Sequence, residues 1–301
     1  MVRVRVPGST SNLGPGFDCL GLALDLHLEV QAELVPRGLH IEIEGESADR
    51  LPRDETNLVY AALRRALRRA GLGPTGLELR IRNQIPVGRG LGSSAAAAVA
   101  GLLAGAVLAG GAPPDLEAVL EAACEIEGHP DNAAPAVLGG LVASAIDAGR
   151  VHTVVLPFPA MLDALLVIPD VEVPTERARA LLPGTVPFAD AVFDLQRLAL
   201  LLGAFVADAP EKLSAAMHDR LHQPHRLALV PGLVEALEAL QADPACLAAA
   251  LSGSGPTLLG FVGGPAPDAG QAAVEVLARE GVRARVQRVG VARRGATWER
   301  S

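Results

Sequence analysis

Residues 86–101, PVGRGLGSSAAAAVAG, set three alternating glycines, two serines and a run of alanines directly behind LELRIRNQI at 77–85, where Leu77, Leu79 and Ile81 share one face. That order predicts a strand, a tight turn and an alanine-rich helix over 93–109. Gly88, Gly90 and Gly92 let the backbone bend sharply and approach an anion, and the unpaired N–H groups at the helix start point toward it. The helix dipole adds only ~0.3–2 kcal/mol, so several backbone hydrogen bonds must supply most of the hold. Ser93 and Ser94 stand where one hydroxyl caps the helix and another reaches a metal bound to phosphate oxygens. On the loop alone, a capped helix behind a flexible turn is an equally good reading.

No lysine stands in this loop, and the chain's single lysine, Lys212, reads as a surface residue at a helix start. The loop fits neither G-x-x-x-x-G-K-[ST] nor G-x-G-x-x-G, which excludes a P-loop. Arg89 reads as solvent-facing, with assistance to phosphates as the alternative. The net charge of −8 argues against nucleic acid or an anionic membrane surface as the main partner. Cys19, Cys124 and Cys246 form no C-x-x-C pair and fit a reducing, cytoplasmic compartment. Neither a signal peptide at the N-terminus nor an apolar run of ~18 residues is present in this sequence.

Length favours two domains, and because only 3% of residues are aromatic, Ala, Leu and Val must build the cores. Strands are predicted at 1–6, 19–34, 38–45, 77–85, 139–146 and 150–158, and helices at 57–73, 93–109 and 113–128. The patterning changes at Pro157 and Pro159, which divides the chain into 1–157 and 158–301. The second part reads as a strand at 164–169, a short helix after Pro174, helices over 187–207, 210–221 and 231–242, two strands around ALSGSGPTLLGF at 250–261, a helix at 266–280 and a strand at 282–291. That order is what a ferredoxin-like α+β sandwich requires.

PVGRGLGSSA, from Pro86 to Ala95, resembles the central motif of the GHMP kinases, LSGSGPT (251–257) resembles the family's third motif, and two further stretches are similar to motifs of the homoserine kinases among them: STSNLGPGFDCLGLALDL (9–26) and EGHPDNAAPAVLGG (127–140). The resemblance implies a two-domain α+β fold, with an N-terminal ribosomal-S5-like domain, a C-terminal ferredoxin-like domain and the site between them. It implies ATP on the loop formed by Pro86, Val87, Gly88, Arg89, Gly90, Leu91, Gly92, Ser93, Ser94, Ala95 and Ala96. Mg²⁺, L-homoserine as acceptor, a step of threonine biosynthesis and a homodimer are implied in the same way.

Asn12 and Asp18 lie in a Gly/Pro-bracketed stretch that reads as irregular, where turn formation alone would explain them. By the resemblance they bind the amino acid's polar groups, and a carboxylate at Asp18 suits an ammonium. His129 and Asn132 then contact homoserine, with Thr175 positioning the reacting groups; these three form the expected catalytic set. Arg179 and Arg226 are the candidates for a bidentate grip on the α-carboxylate. Glu127 is expected to join Ser94 at Mg²⁺, although Glu121 and Glu125 on the same helix leave the register open. Other GHMP kinases carry an aspartate in P-S-G-x-D where this chain has HPDN, so no base is evident and Asp131 is the alternative. His218, His222 and His225 have the spacing of a zinc set, but Pro224 interrupts it. The SGSGPT turn is expected to pack on the phosphate loop. A related kinase for mevalonate or a sugar, and an ATP-binding protein without turnover, are the competing readings.

Overall fold

A computed structural model describes residues 1–73, 76–110 and 113–300. The chain opens with β1 (Val2–Asn12), β2 (Gly16–Val35) and β3 (Leu39–Gly45), then α1 (Leu58–Arg69), β4 (Gly76–Asn83), α2 (Ser93–Ala109), α3 (Leu116–Glu127), α4 (Ala133–Leu138), β5 (Leu141–Asp147) and β6 (Arg150–Leu156). There follow β7 (Leu162–Pro169), α5 (Thr175–Ala180), α6 (Phe188–Val206), α7 (Leu213–Ala216), α8 (Gln223–Leu227), α9 (Leu233–Gln241), β8 (Cys246–Leu251), β9 (Leu258–Gly263), α10 (Gln271–Arg279), β10 (Ala284–Val289) and β11 (Thr297–Arg300).

The first sheet runs β11-β1-β2-β4-β3, with β5 on the far end of β2 and β6 beside β5. Only the β3–β4 pair is parallel. The second sheet is antiparallel in the order β10-β7-β9-β8. Counted within that half the order is 4-1-3-2, the ferredoxin-like arrangement expected from the element order.

Local chemistry sets the helix ends. Asn57 accepts the N–H groups of Val59 and Tyr60 at the start of α1, and Asp115 does the same for Glu117 and Ala118 in α3. The helix α2 is apolar on all sides and buried: Ala95, Ala96, Ala98, Ala100 and Ala104 are fully covered. In the second half, Phe158, Phe205 and Phe261 pack ring to ring, with centroids 5.4 to 6.2 Å apart.

Several expectations are corrected. The helix expected at 210–221 is a 3-10 turn at Pro210–Lys212 plus the four residues of α7, because Asp219 then takes the backbone N–H groups of Leu221, His222 and Gln223 and starts a new helix. Asn12 and Asp18 belong to strand ends, but with φ of 71° and 55°, so the turn chemistry read there sits inside β1 and β2. The chain also crosses back after β10: β11 pairs with β1, which the expected unit 158–301 did not include. That return covers an otherwise open strand edge.

Candidate active site

A cleft of about 370 Å³ is lined by Val87 to Ser94 together with Asn12, Asp18, Thr175, Arg179 and Arg226 and with Glu127, His129, Asp131 and Asn132. Pro86, Ala95 and Ala96 are buried behind the loop and do not line it.

Gly88, Gly90 and Gly92 have φ of 68°, 71° and 66°, so every second residue of the loop is left-handed. A Cβ at Gly90 would lie 2.1 Å from the Ser252 carbonyl oxygen. The bend is held from outside. Ser252 Oγ donates to Gly90 O at 2.7 Å, Gly253 N–H to Ser11 O at 3.1 Å, and Val173 N–H to Gly88 O at 2.9 Å. The SGSGPT turn therefore packs on the loop as expected.

Two loop residues differ from expectation. Gly92, not a serine, precedes α2 in a left-handed conformation and makes no side-chain cap, and it lines the cleft with Ser93 and Ser94. Arg89 neither faces solvent nor reaches toward phosphate: it is 5% exposed, and its Nε donates to Pro169 O at 2.8 Å and its Nη2 to Asp170 at 2.9 Å. A guanidinium buried beneath the loop fixes its shape.

Ser94 Oγ donates to Glu127 Oε1 at 2.6 Å, and Glu125 pairs with Arg65. Burial raises the Glu127 carboxyl above its ordinary range, against the opposing Ser94 bond and His129 charge. A hydroxyl and a carboxylate at a helix start beside an amide-lined loop are the hard oxygen donors that suit Mg²⁺.

On the acceptor side, Arg179 grips Asp18 bidentately, both bonds 2.8 Å. The two residues expected to hold opposite ends of an amino acid thus hold each other. Arg226 is 3% exposed and donates from Nη1 to Gly253 O at 3.1 Å, while its Nε is buried without a partner. Asn12 has its amide committed to backbone: Nδ2 donates to Gly253 O and Oδ1 accepts from Asp18 N–H, so it shapes the strand end. His129 Nδ1 lies 2.5 Å from the buried Asp131 carboxylate. Burial works against the imidazolium, but the bond to Asp131 and its charge prevail and raise the His129 pKa. Asn132 accepts from Ser9 Oγ at 2.9 Å and donates to Ser11 Oγ at 3.0 Å. Thr175 opens α5, its hydroxyl 3.4 Å from Ser254 Oγ.

The sequence reading missed Phe17. Its ring stacks on His222 at 5.2 Å, with the guanidiniums of Arg179 and Arg226 at 5.5 and 5.1 Å, so one aromatic plane gathers both cations. A phenylalanine between Asn12 and Asp18, one of six in the chain, was the available signal. The three histidines do not gather: His222 is buried against Gly14 O and His218 is exposed. Among the described residues only Asp18, His129 and Asp131 form a three-member metal-capable group.

The descriptions of the GHMP kinases N terminal domain and C terminal domain match residues 57–140 and 201–283. A homoserine kinase of Moorella thermoacetica is 42% identical over 98% of this chain and 99% of its own length; one of Streptomyces coelicolor is 43% identical, covering 98% and 94%. The crystal structure of homoserine kinase from Cytophaga hutchinsonii superposes with a TM-score of 0.84 at 30% identity, covering 99% of this chain and 97% of that one. The mevalonate kinase of L. major, at 16% identity and a TM-score of 0.70 over 96% and 95% of the two chains, shares the fold alone. With its glycine-bent loop, its two-sheet α+β fold and these relatives, the chain belongs to the GHMP kinase family, in its homoserine kinase branch.

Proposed function

We propose that the chain transfers the γ-phosphoryl of ATP to the hydroxyl of L-homoserine, giving O-phospho-L-homoserine and ADP in threonine biosynthesis. The observation that carries this reading is one cleft that brings the glycine loop together with Arg179, Arg226 and Asp18. Backbone N–H groups of the loop hold the triphosphate. Ser94 and Glu127 are the residues that would hold Mg²⁺, which when bound offsets phosphate charge. Arg179 and Arg226 take the α-carboxylate and Asp18 the ammonium, so a zwitterion replaces the Arg179–Asp18 pair charge for charge. A mevalonate would leave Asp18 without a cation.

Asn132 and His129 orient the acceptor hydroxyl, and Thr175 stands at the mouth of the same cleft. Alignment of reactants supplies up to ~7–11 kcal/mol, whereas a general base adds ~10²–10⁴-fold, so positioning dominates. Asp131, 2% exposed and already bound by His129, acts on the hydroxyl only through that imidazole. Two units, 1–157 and 158–301 with the last strand returning, enclose the site. A cytoplasmic homodimer is part of this reading, supported by exposed Phe188, Leu195 and Val206 on α6; sedimentation at micromolar concentration reads it. No helix among the described residues is long and apolar enough to cross a membrane.

ADP release measured with L-homoserine, mevalonate, galactose and no acceptor tests the function. Release dependent on both homoserine and Mg²⁺ is expected, and its absence would overturn the reading.

A further inference from the structure

Behind the arginine wall lie two acids that contact neither the expected nucleotide nor the expected acceptor. Asp194, on α6, is 2% exposed, and Asp219, between α7 and α8, is 9% exposed with its side chain fully covered. Asp219 accepts the N–H groups of Leu221, His222 and Gln223 at 3.0, 3.1 and 2.7 Å. Asp194 Oδ1 accepts from Arg220 N–H at 3.0 Å, but its Oδ2 is buried with no N–H or O–H against it. Through the Arg220 bond Asp194 is held against the residue that follows Asp219, whose own carboxyl is equally covered, and a side-chain hydrogen bond with Asp219 helps raise the Asp194 carboxyl. Two buried carboxyls in contact are not both ionised; a proton on one turns the contact into a hydrogen bond.

Among the described residues no arginine or lysine side chain is bonded to either acid, although Asp219 and the Arg226 guanidinium attract each other. Asp190, on the same helix, adds negative charge and is itself held by Arg220 Nη1 at 3.0 Å, while Arg197 and Arg220 lie over the Phe193 ring at 4.0 and 3.9 Å. From α8, His222 Nε2 stands 3.6 Å from Asp219 and donates to Gly14 O at 2.8 Å. Burial holds His222 below its ordinary pKa, so its Nδ1 is free to accept from Arg226 Nη1 at 3.4 Å. The chain of contacts therefore runs from Asp194 through Asp219 and His222 to Arg226, with Phe17 stacked on the imidazole.

We propose that Asp194 keeps a proton turned toward Asp219 and that the pair acts as the positioning element for Arg226, through His222. This rests on reading Arg226 as a grip on the acceptor carboxylate. Burial first, then the bond and charge of Asp219, push the Asp194 carboxyl up to about 7. Above that pH Asp194 ionises and repels the carboxylate of Asp219, and the segment that carries His222 and Arg226 loosens. The folded chain binds a proton here that the unfolded chain releases near the ordinary carboxylate range, so the pair's contribution to stability falls as pH rises through neutrality.

Asp194→Asn supplies a permanent donor to Asp219. For the wild type, the acceptor KM should rise roughly two- to tenfold from about pH 6 to about pH 8.5 while the ATP KM follows the variant's. In D194N that rise disappears, and its melting temperature gains on the wild type over the same range. Parallel pH profiles of wild type and variant, in both acceptor KM and melting temperature, would overturn the proposal. If homoserine is no acceptor at all, the reading of Arg226 fails, while the melting comparison still decides the proton on Asp194. If D194N does not fold, the infrared band of a protonated aspartyl carboxyl in the wild type near neutrality decides instead, and its absence counts against the proposal.

Discussion

At the scale of single residues, the site is defined by what each charge already holds. Arg179 is committed to Asp18 and Arg226 has a buried, unpartnered Nε, and under the proposed function both turn to the acceptor carboxylate. Arg179→Ala should raise the acceptor KM by roughly tenfold to a hundredfold, the value of a charge-assisted bond, with the ATP KM little changed; steady-state kinetics check it. Glu127→Gln should raise the Mg²⁺ concentration needed for half-maximal rate. Since burial lifts the Glu127 carboxyl, the same requirement in the wild type should grow as pH falls, beginning above the usual carboxylate range. These residues were legible because they stand in contiguous motifs. Arg89 was not, since nothing in PVGRG says that its partners are Pro169 and Asp170 in a segment 80 residues on.

At the scale of elements, α2 fixes where the loop begins, and it does so by close approach. A Cβ at Gly101 would stand 2.3 Å from Val59 O, and one at Gly105 would stand 2.6 Å from Leu63 O. Alanine would improve helix propensity by ~1 kcal/mol, but α1 has no room for it. Gly101→Ala is therefore expected to destabilise the fold by about 1–3 kcal/mol, read as a lower urea midpoint. Apolar faces and local caps placed α1 and α3 correctly, and the alanine run behind the glycine turn placed α2. Periodicity lost the helix at 210–221, where Asp219 draws three backbone amides into a new start that tertiary packing stabilises.

At the scale of the whole molecule, the two halves are tied by a strand that returns. Arg300, Glu299, Trp298 and Thr297 pair with Val2 to Arg5, closing the edge of β1. Removing residues 297–301 should lower the melting temperature and promote association through the opened edge, seen as scattering on heating. By itself the sequence determined the glycine-bent loop, most helices and strands, the α+β class and the family, because left-handed glycines, capping residues and apolar periodicity act over a few residues. Only the tertiary structure decided that Arg179 meets Asp18, that Arg89 turns beneath the loop, that β11 joins the first sheet and that Asp194 faces Asp219. Those contacts join positions 25 to more than 290 residues apart, and their geometry comes from how two sheets and their helices pack, which no local pattern encodes.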